Sequence, residues 1–376
     1  DELSYKLNQD PVALRLKNIA LDKNPETGLP WSTNYLNECI EMGAKMINWN
    51  ERKPLPNQTS DGDWKIGYGM AVGMWNAGRG KASAAIKMQK NGVITVQTAM
   101  TDIGTGTGTG MQNIAHDITG IPKNNIKIEL GNSNLPPAPS QGGSNGMSSV
   151  SGAIVEVSKA LKLKLAEYAS LQNDKFKNVK PDDVLLSDKG ISLKATTKDF
   201  VSYDEIWKKN NLDILEVEGS SGPGEERKKY SFCSSAAHFC KLRVNTKTGK
   251  VKIEKMVCVA DGGKIVNDKA AANQMSGAAV GGIGMALMEE QMVDAKLGGL
   301  IANDLAGYHF PVNADAPMIE VAFIGKPDPN INPTGAKGLG EVGIIGTAPA
   351  IANAIYNAIG KRLRDLPITP DKILLA

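Results

Sequence analysis

The chain has 376 residues, with 43 Lys and Arg against 40 Asp and Glu for a net charge of +3, and it is 41% apolar, 22% charged and 5% aromatic. This globular composition is large enough to bury a substantial core and to form two or three domains, which excludes intrinsic disorder and fibrous repeats. So small a charge excess, with so few aromatics to stack on bases, argues against nucleic acid as a partner.

Residues 1–63 read as a helical lead-in. Leu3 and Leu7 mark one short amphipathic stretch. Asp10 and Pro11 cap a second, carrying Val12, Leu14 and Leu16, and Thr33 caps a third with Leu36, Cys39 and Ile40 on one face. An opening on an amphipathic stretch, with no Met or signal peptide, is expected of a chain that continues from a missing N-terminal half. Beyond the Pro- and Asn-rich segment 53–63, residues 66–75, 82–89 and 92–100 read as strands, 111–120 as a helix and 125–130 as a strand. A long helix is expected over 149–171. The polar, Lys-rich segment 172–229 reads as an excursion or linker. Strands return at 230–244 and 251–260, with hairpin turn residues Asn245 to Gly249 between them, and helices are expected over 269–288 and 347–363. The pattern is α+β with two similar halves, divided as 64–182 and 183–376.

The run from Val342 to Gly360 is free of charge and long enough to raise the question of a membrane span. Its Gly343, Gly346, Pro349, Asn353 and Asn357 favour a buried helix instead, because Asn pairs are costly in lipid and useful in a packed polar site. Cys39, Cys233, Cys240 and Cys258 form no cluster-binding pattern, so the chain holds no iron–sulfur centre of its own and the four read as buried thiols.

Glycine is the unusual component, 40 residues gathered in clusters, which implies backbone approaching something closely. The first cluster, Gly104 to Gly110, follows a strand and opens a helix, the place where free N–H groups and the helix dipole stabilise an anion. Its glycines all fall on even positions, so the G-x-G-x-x-G dinucleotide fingerprint cannot be matched in any register. The second cluster, Gln141 to Ser149, again precedes a helix. A third polar loop, Asp261 to Asn267, leads into the helix that carries Gln274.

The fourth cluster, Gly335 to Pro349, holds a lone carboxylate, Glu341, among small residues and ahead of the charge-free helix. Water-poor surroundings favour proton uptake by a carboxylate, as a general base needs. His116, His238 and His309 have no ligand spacing and read as structural histidines, and no nucleophile–base constellation can be argued from spacing.

At these motifs the chain resembles the C-terminal part of the molybdenum-cofactor subunit of the xanthine oxidase family, in its aldehyde oxidoreductase and isoquinoline oxidoreductase branches. The carrying residues are Asp102 to Gly106, Gln141 to Gly146, Asp261 to Gly263 through Asn267 to Gln274, Gly282 to Leu287, Lys337 to Glu341, and Arg362 to Ile373. The resemblance implies the molybdopterin-binding fold of molybdenum hydroxylases, two related αβ subdomains with the cofactor at their interface. It implies a molybdenum pterin without direct protein ligands to the metal, in the molybdopterin cytosine dinucleotide form. Glu341 would be the base that takes the proton from a molybdenum-bound hydroxide, whose oxygen attacks the substrate carbon as hydride passes to a sulfido ligand. The cofactor would be bound by Ile103, Gly104 and Thr105, by Gly146 and Met147, by Lys264, Ile265, Val266, Asn267, Asp268, Lys269, Ala270 and Gln274, and by Lys337, Gly338, Leu339 and Gly340.

Thr105 and Gly281 depart from the xanthine oxidase pattern and match the aldehyde oxidoreductase branch, which argues against a purine substrate; Asp268 stands where the family usually has Pro. The implied activity is oxidation of aldehydes to carboxylic acids with water as oxygen source, the alternative being hydroxylation of aromatic N-heterocycles. The implied partners are the N-terminal half of the large subunit, a 2Fe-2S subunit and an FAD or haem (cytochrome) subunit, with no membrane span. The expected compartment is the periplasm, the alternative the cytoplasm. An NAD-dependent dehydrogenase and a non-catalytic binding module are the rival readings from other classes.

Overall fold

The computed structural model describes residues 1–20 and 22–376. The lead-in forms α1 (Glu2–Lys6), α2 (Pro11–Asn18) and α3 (Leu36–Met46). Asp10 caps α2 by accepting from the Val12 and Ala13 N–H groups. Thr33 does not cap α3. Tyr35 holds the N-cap position, and Thr33 Oγ1 donates instead to the buried Asp328, at 2.9 Å, a carboxylate far along the chain that no local pattern could reveal.

Next come β1 (Ser60–Asp61), β2 (Trp64–Asn76), β3 (Ala82–Met88), β4 (Ile94–Thr98), α4 (Thr107–Thr119), β5 (Ile126–Leu130) and α5 (Gly146–Ala169). Both α4 and α5 begin earlier than apolar periodicity places them, inside the glycine loops, whose small residues carry no hydrophobic signal. Segment 172–229 is not a linker. It folds into β6 (Val184–Leu186), β7 (Gly190–Leu193) and β8 (Phe200–Ser202), then α6 (Tyr203–Asn210) behind a Ser202–Glu205 capping box, and β9 (Leu215–Ser221). Its Phe176, Ile191, Ile206 and Trp207 join the same core as Leu161 and Leu165 of α5. Those apolar residues lie too far apart among lysines to show a period. The chain ends with β10 (Cys233–Asn245), β11 (Val251–Asp261), α7 (Asp268–Leu287), β12 (Met318–Phe323), α8 (Val342–Ile345), α9 (Thr347–Ile359) and α10 (Pro370–Leu375).

Strand pairing cuts across the expected boundaries at 64 and 183. One sheet runs β5-β4-β3-β9 and a second β1-β2-β10-β11-β12, beside the small sheet β6-β7-β8. β2 pairs antiparallel with β10 along its whole length, from Trp64 opposite Asn245 to Asn76 opposite Cys233, so it belongs to the second subdomain. β9 pairs with β3, so residues 215–221 belong to the first. Long-range pairing of this kind leaves no trace in local composition.

In the second sheet, α3 covers one face, with Cys39 and Ile40 against Phe239 and Val257. The other face carries α9, whose Ile351 and Ala354 cluster with Cys240 and Leu242 of β10. A Cβ at Gly67 or Gly69 of β2 would collide with the Ala354 or Ala350 carbonyl, so these glycines let α9 lie directly on the strand. The Asn residues of α9 satisfy that close contact: Asn357 Oδ1 accepts from the Tyr68 N–H at 3.0 Å and Asn353 Nδ2 donates to the Met70 carbonyl at 3.1 Å. The charge-free run is therefore a core element, divided at Gly346 into α8 and α9. The four cysteines are free and buried, and burial pushes the Cys233 and Cys258 thiols up to about 12. They remain protonated and inert at neutral pH.

Candidate functional site

Two loops from each subdomain converge on one cleft of about 410 Å³. The first subdomain contributes Ile103, Thr105, Gly106, Thr107 and Gly110 around the start of α4, and Gln141, Gly142 and Ser144 to Met147 before α5. The second contributes Lys264 to Asn267 with Ala270, Ala271 and Gln274 of α7, and Ala336 to Glu341 before α8. Of the residues expected to bind the cofactor, Ile103, Thr105, Gly146, Met147, Lys264, Ile265, Val266, Asn267, Ala270, Gln274, Lys337, Gly338, Leu339 and Gly340 all line it, together with Glu341. Gly104, Asp268 and Lys269 do not. Gly104 sits at the exposed turn, and Asp268 and Lys269 point to solvent from the first turn of α7.

The first glycine loop does not present a free anion site. Asp102 accepts from the Gly104 and Gly106 N–H groups through Oδ1, at 3.0 and 3.2 Å, and from the Gly108 N–H through Oδ2, at 3.2 Å. The chain's own carboxylate thus occupies the place a phosphate would take, which also removes the physical basis for a pyrophosphate of NAD there. At α7 the Ala270 N–H is likewise taken, by Asn267 Oδ1. The N-terminus of α5 differs, for Asn145 makes no side-chain cap and Gly146 and Met147 open on the cleft. It is a helix end left with donors for an anionic group.

Across the cleft, the Lys337–Glu341 loop is fixed from below. The Lys337 side chain turns away from the cleft to form a fully buried ion pair with Asp261 at 2.9 Å, and Asp261 also accepts from the Tyr35 and Gly263 N–H groups. Lys337 lines the cleft without presenting its ammonium to it. Asn332 gathers the approach to the loop, its Oδ1 accepting from the Gly335 N–H at 2.8 Å and its Nδ2 donating to the Ala336 carbonyl at 2.8 Å. The two sides meet at Ser144, which takes the left-handed conformation with φ of 57°. Its Oγ accepts from the Glu341 N–H at 3.0 Å, and a Cβ at Gly338 would collide with its carbonyl, so only glycine permits this approach.

Glu341 stands at the start of α8. Among the described residues its Oε2 is buried without a hydrogen-bond partner, and so is Oε1 of Gln141 on the opposite wall. Two orphaned acceptors on cleft-lining residues of different subdomains are costly unless a bound group donates to them. That is the observation by which the residues fit a polar cofactor that brings hydrogen-bond donors into the cleft. Two of the three histidines bond backbone: His116 Nδ1 the Ile121 carbonyl and His238 Nε2 the Gly343 carbonyl, while His309 is exposed. Ser144, Asn332 and the buried Ser234 escaped sequence reading. For Ser144 the signal was its place in the second glycine cluster; for Ser234 the local sequence held none, since Ser235 and His238 stand on the same strand.

Residues 42–317 match the molybdopterin cofactor-binding domain family. Over its whole length the chain is 34% identical to the aldehyde oxidoreductase molybdenum-binding subunit PaoC of Escherichia coli K12 and covers 49% of that protein. It is 29% identical, over 99% of its length, to the putative xanthine dehydrogenase molybdenum-binding subunit XdhA of the same strain, covering 50% of it. The solved aldehyde oxidoreductase from Desulfovibrio desulfuricans ATCC 27774 matches the whole chain at 26% identity with a TM-score of 0.78, over 39% of that structure. The chain spans about half the length of the curated relatives it matches. With a family match across most of the chain and a cleft built from loops of both subdomains, this protein belongs to the molybdopterin cofactor-binding family, among the molybdenum-binding subunits of xanthine oxidase family oxidoreductases.

Proposed function

We propose that the chain is the C-terminal, Glu341-bearing portion of a molybdenum hydroxylase catalytic subunit that oxidises aldehydes to carboxylic acids with water as the oxygen source. The observation that carries this reading is the orphaned, buried carboxylate oxygen of Glu341 in the wall of the cleft. The 34% identity to an aldehyde oxidoreductase subunit supports the aldehyde as substrate over a purine. The cofactor is the molybdenum pterin, in its cytosine dinucleotide form. The uncapped N-terminus of α5 would hold its anionic part, and the backbone of Lys337 to Gly340 would border its metal end. When bound, it supplies a water-derived oxygen to the substrate and takes up the electrons released.

The chain's own residues do three things in this mechanism. Glu341 accepts the proton lost as the new carbon–oxygen bond forms, and it is suited to that by having a carboxylate oxygen free of other donors. Gln141 donates through Nε2 to Thr105 and Thr107, at 3.5 and 3.4 Å, which leaves its Oε1 as an acceptor for the cofactor. Ser144 and Gly338 keep the two walls in contact and restrict water at the reacting end.

Electrons leave through 2Fe-2S clusters of a partner subunit and then FAD or haem, and the N-terminal half of the large subunit completes the substrate pocket. The compartment proposed is the periplasm, which cell fractionation checks. The function is tested on the complex isolated from its source, by metal analysis, release of the pterin nucleotide, and turnover of aldehydes against isoquinoline. Molybdenum with a cytosine nucleotide and preferred aldehyde oxidation is the expected result. Faster turnover of the heterocycle overturns the substrate, and absence of molybdenum overturns the enzyme.

A further inference from the structure

The strand beneath the Glu341 loop carries two polar side chains in a position that an apolar core would ordinarily fill with aliphatic groups. Ser234 and His238 lie four residues apart on β10, hence on one face of the strand, and both are 0% exposed. Ser234 Oγ donates to the Gly338 carbonyl at 2.5 Å, and His238 Nε2 bonds the Gly343 carbonyl at 2.9 Å. These two carbonyls flank Glu341. Between the two donors, Ala236 packs against Val342, so the small residue lets the loop and α8 settle onto the strand.

A carbonyl only accepts, so the Nε2 of His238 carries the hydrogen and Nδ1 is left as an acceptor. Among the described residues that Nδ1 is buried without a partner. An imidazole that leaves one nitrogen unsatisfied is an expensive core filler, and the bond it does make offsets only part of the cost. The surroundings are shaped to keep it: a Cβ at Gly346 would collide with Nδ1, and Thr347 Oγ1 donates to the same Gly343 carbonyl at 3.2 Å. Burial holds the imidazole down to about 4, so the ring stays neutral and remains a single-hydrogen donor across ordinary pH. Ser144 ties the Glu341 N–H from the opposite subdomain. The backbone at Glu341 is thereby held before, at and after the carboxylate, while the carboxylate oxygen itself is left unbonded.

We propose that Ser234 and His238 are positioning residues, a two-point clamp on β10 that fixes the carbonyls on either side of Glu341 and so sets where its carboxylate reaches in the cleft. This rests on the reading of Glu341 as the base. The test compares Ser234→Ala, His238→Leu and Glu341→Gln in the isolated complex, with Ser234→Thr and His238→Gln as variants that retain a donor. It measures kcat, KM, molybdenum content and hydrogen exchange of the 338–346 peptide. Loss of either donor is expected to lower kcat by about tenfold to a hundredfold with KM changed less than about twofold, because misplacement of a base acts on the reacting geometry. Molybdenum content stays at the wild-type level, exchange at 338–346 accelerates, and the donor-retaining variants recover most of both losses. Should His238→Leu fail to fold, Ser234→Ala decides alone. Unchanged kcat and exchange in Ser234→Ala, beside an inactive Glu341→Gln, overturn the clamp and leave the base standing. Wild-type turnover in Glu341→Gln overturns the base, and the clamp's role with it.

Discussion

The glycine loops at Asp102–Gly110 and Gly335–Glu341 have similar composition, and each contains one carboxylate, but they use it in opposite ways. Asp102 turns back on its own exposed loop and is satisfied by three of that loop's backbone N–H groups. Glu341 has its backbone tied down and its Oε2 left without a donor. Glycine richness alone therefore does not define a ligand site. What separates the two loops is whether the local N–H groups can reach the carboxylate, and this depends on backbone path.

The sharpest way to break this contrast is Glu341→Gln. It keeps the volume and removes the base, so turnover should fall by about 10²–10⁴-fold with molybdenum content near wild type; steady-state kinetics beside metal analysis checks it, and an equally active variant removes Glu341 from the mechanism. Lys337→Met attacks the support of the same loop. It leaves Asp261 charged and buried without its partner, which should destabilise the subunit by about 3–5 kcal/mol, read as a lowered melting temperature. Adding Asp261→Asn to that variant should recover part of the loss.

Gly338→Val tests the approach of the two walls. Its side chain would drive the loop from the Ser144 carbonyl, and the expected result is reduced molybdenum occupancy in a folded protein, by metal analysis with circular dichroism as control. Normal loading counts against the contact as part of the cofactor envelope. The clamp below the loop gives a smaller effect that depends on pH. His238 has its folded-state pKa depressed from 6.5 to about 4, so the unfolded chain takes up a proton that the buried ring does not. Its contribution to stability is whole above pH about 6.5 and is lost as the pH falls toward about 4. Melting temperature measured across that window should drop more steeply in the wild type than in His238→Gln. The smallest effect is expected at the other loop: Asp102→Ala should leave turnover within about a factor of two while speeding amide exchange at Gly104 to Gly108. A loss of activity comparable with that of Glu341→Gln would erase the distinction between the two loops.

Much of this was legible along the chain. Asp10 ahead of Pro11 marked a helix start, Asn245 to Gly249 marked a hairpin, and the Asn residues in the charge-free run marked a core helix, because each depends on chemistry within a few residues. The solitary acid among small residues pointed to Glu341 for the same reason. The order of the glycine motifs carried the family and nearly all of the cleft lining.

Other features were fixed by partners distant in sequence. Thr33 was drawn away from its helix by Asp328, and Lys337 was turned from the cleft by Asp261. β2 left its sequence neighbours for β10, and Leu215–Ser221 joined β3. The amino-acid sequence by itself determined most of the local elements, the glycine loops and the solitary place of Glu341 among small residues, since these follow from turn chemistry, capping, periodicity and composition. Only the tertiary structure decided which loop's N–H groups were already taken, which charges were paired in the core and what holds Glu341 in place, because hydrogen bonds and ion pairs between distant segments exist only after the sheets have brought those segments together.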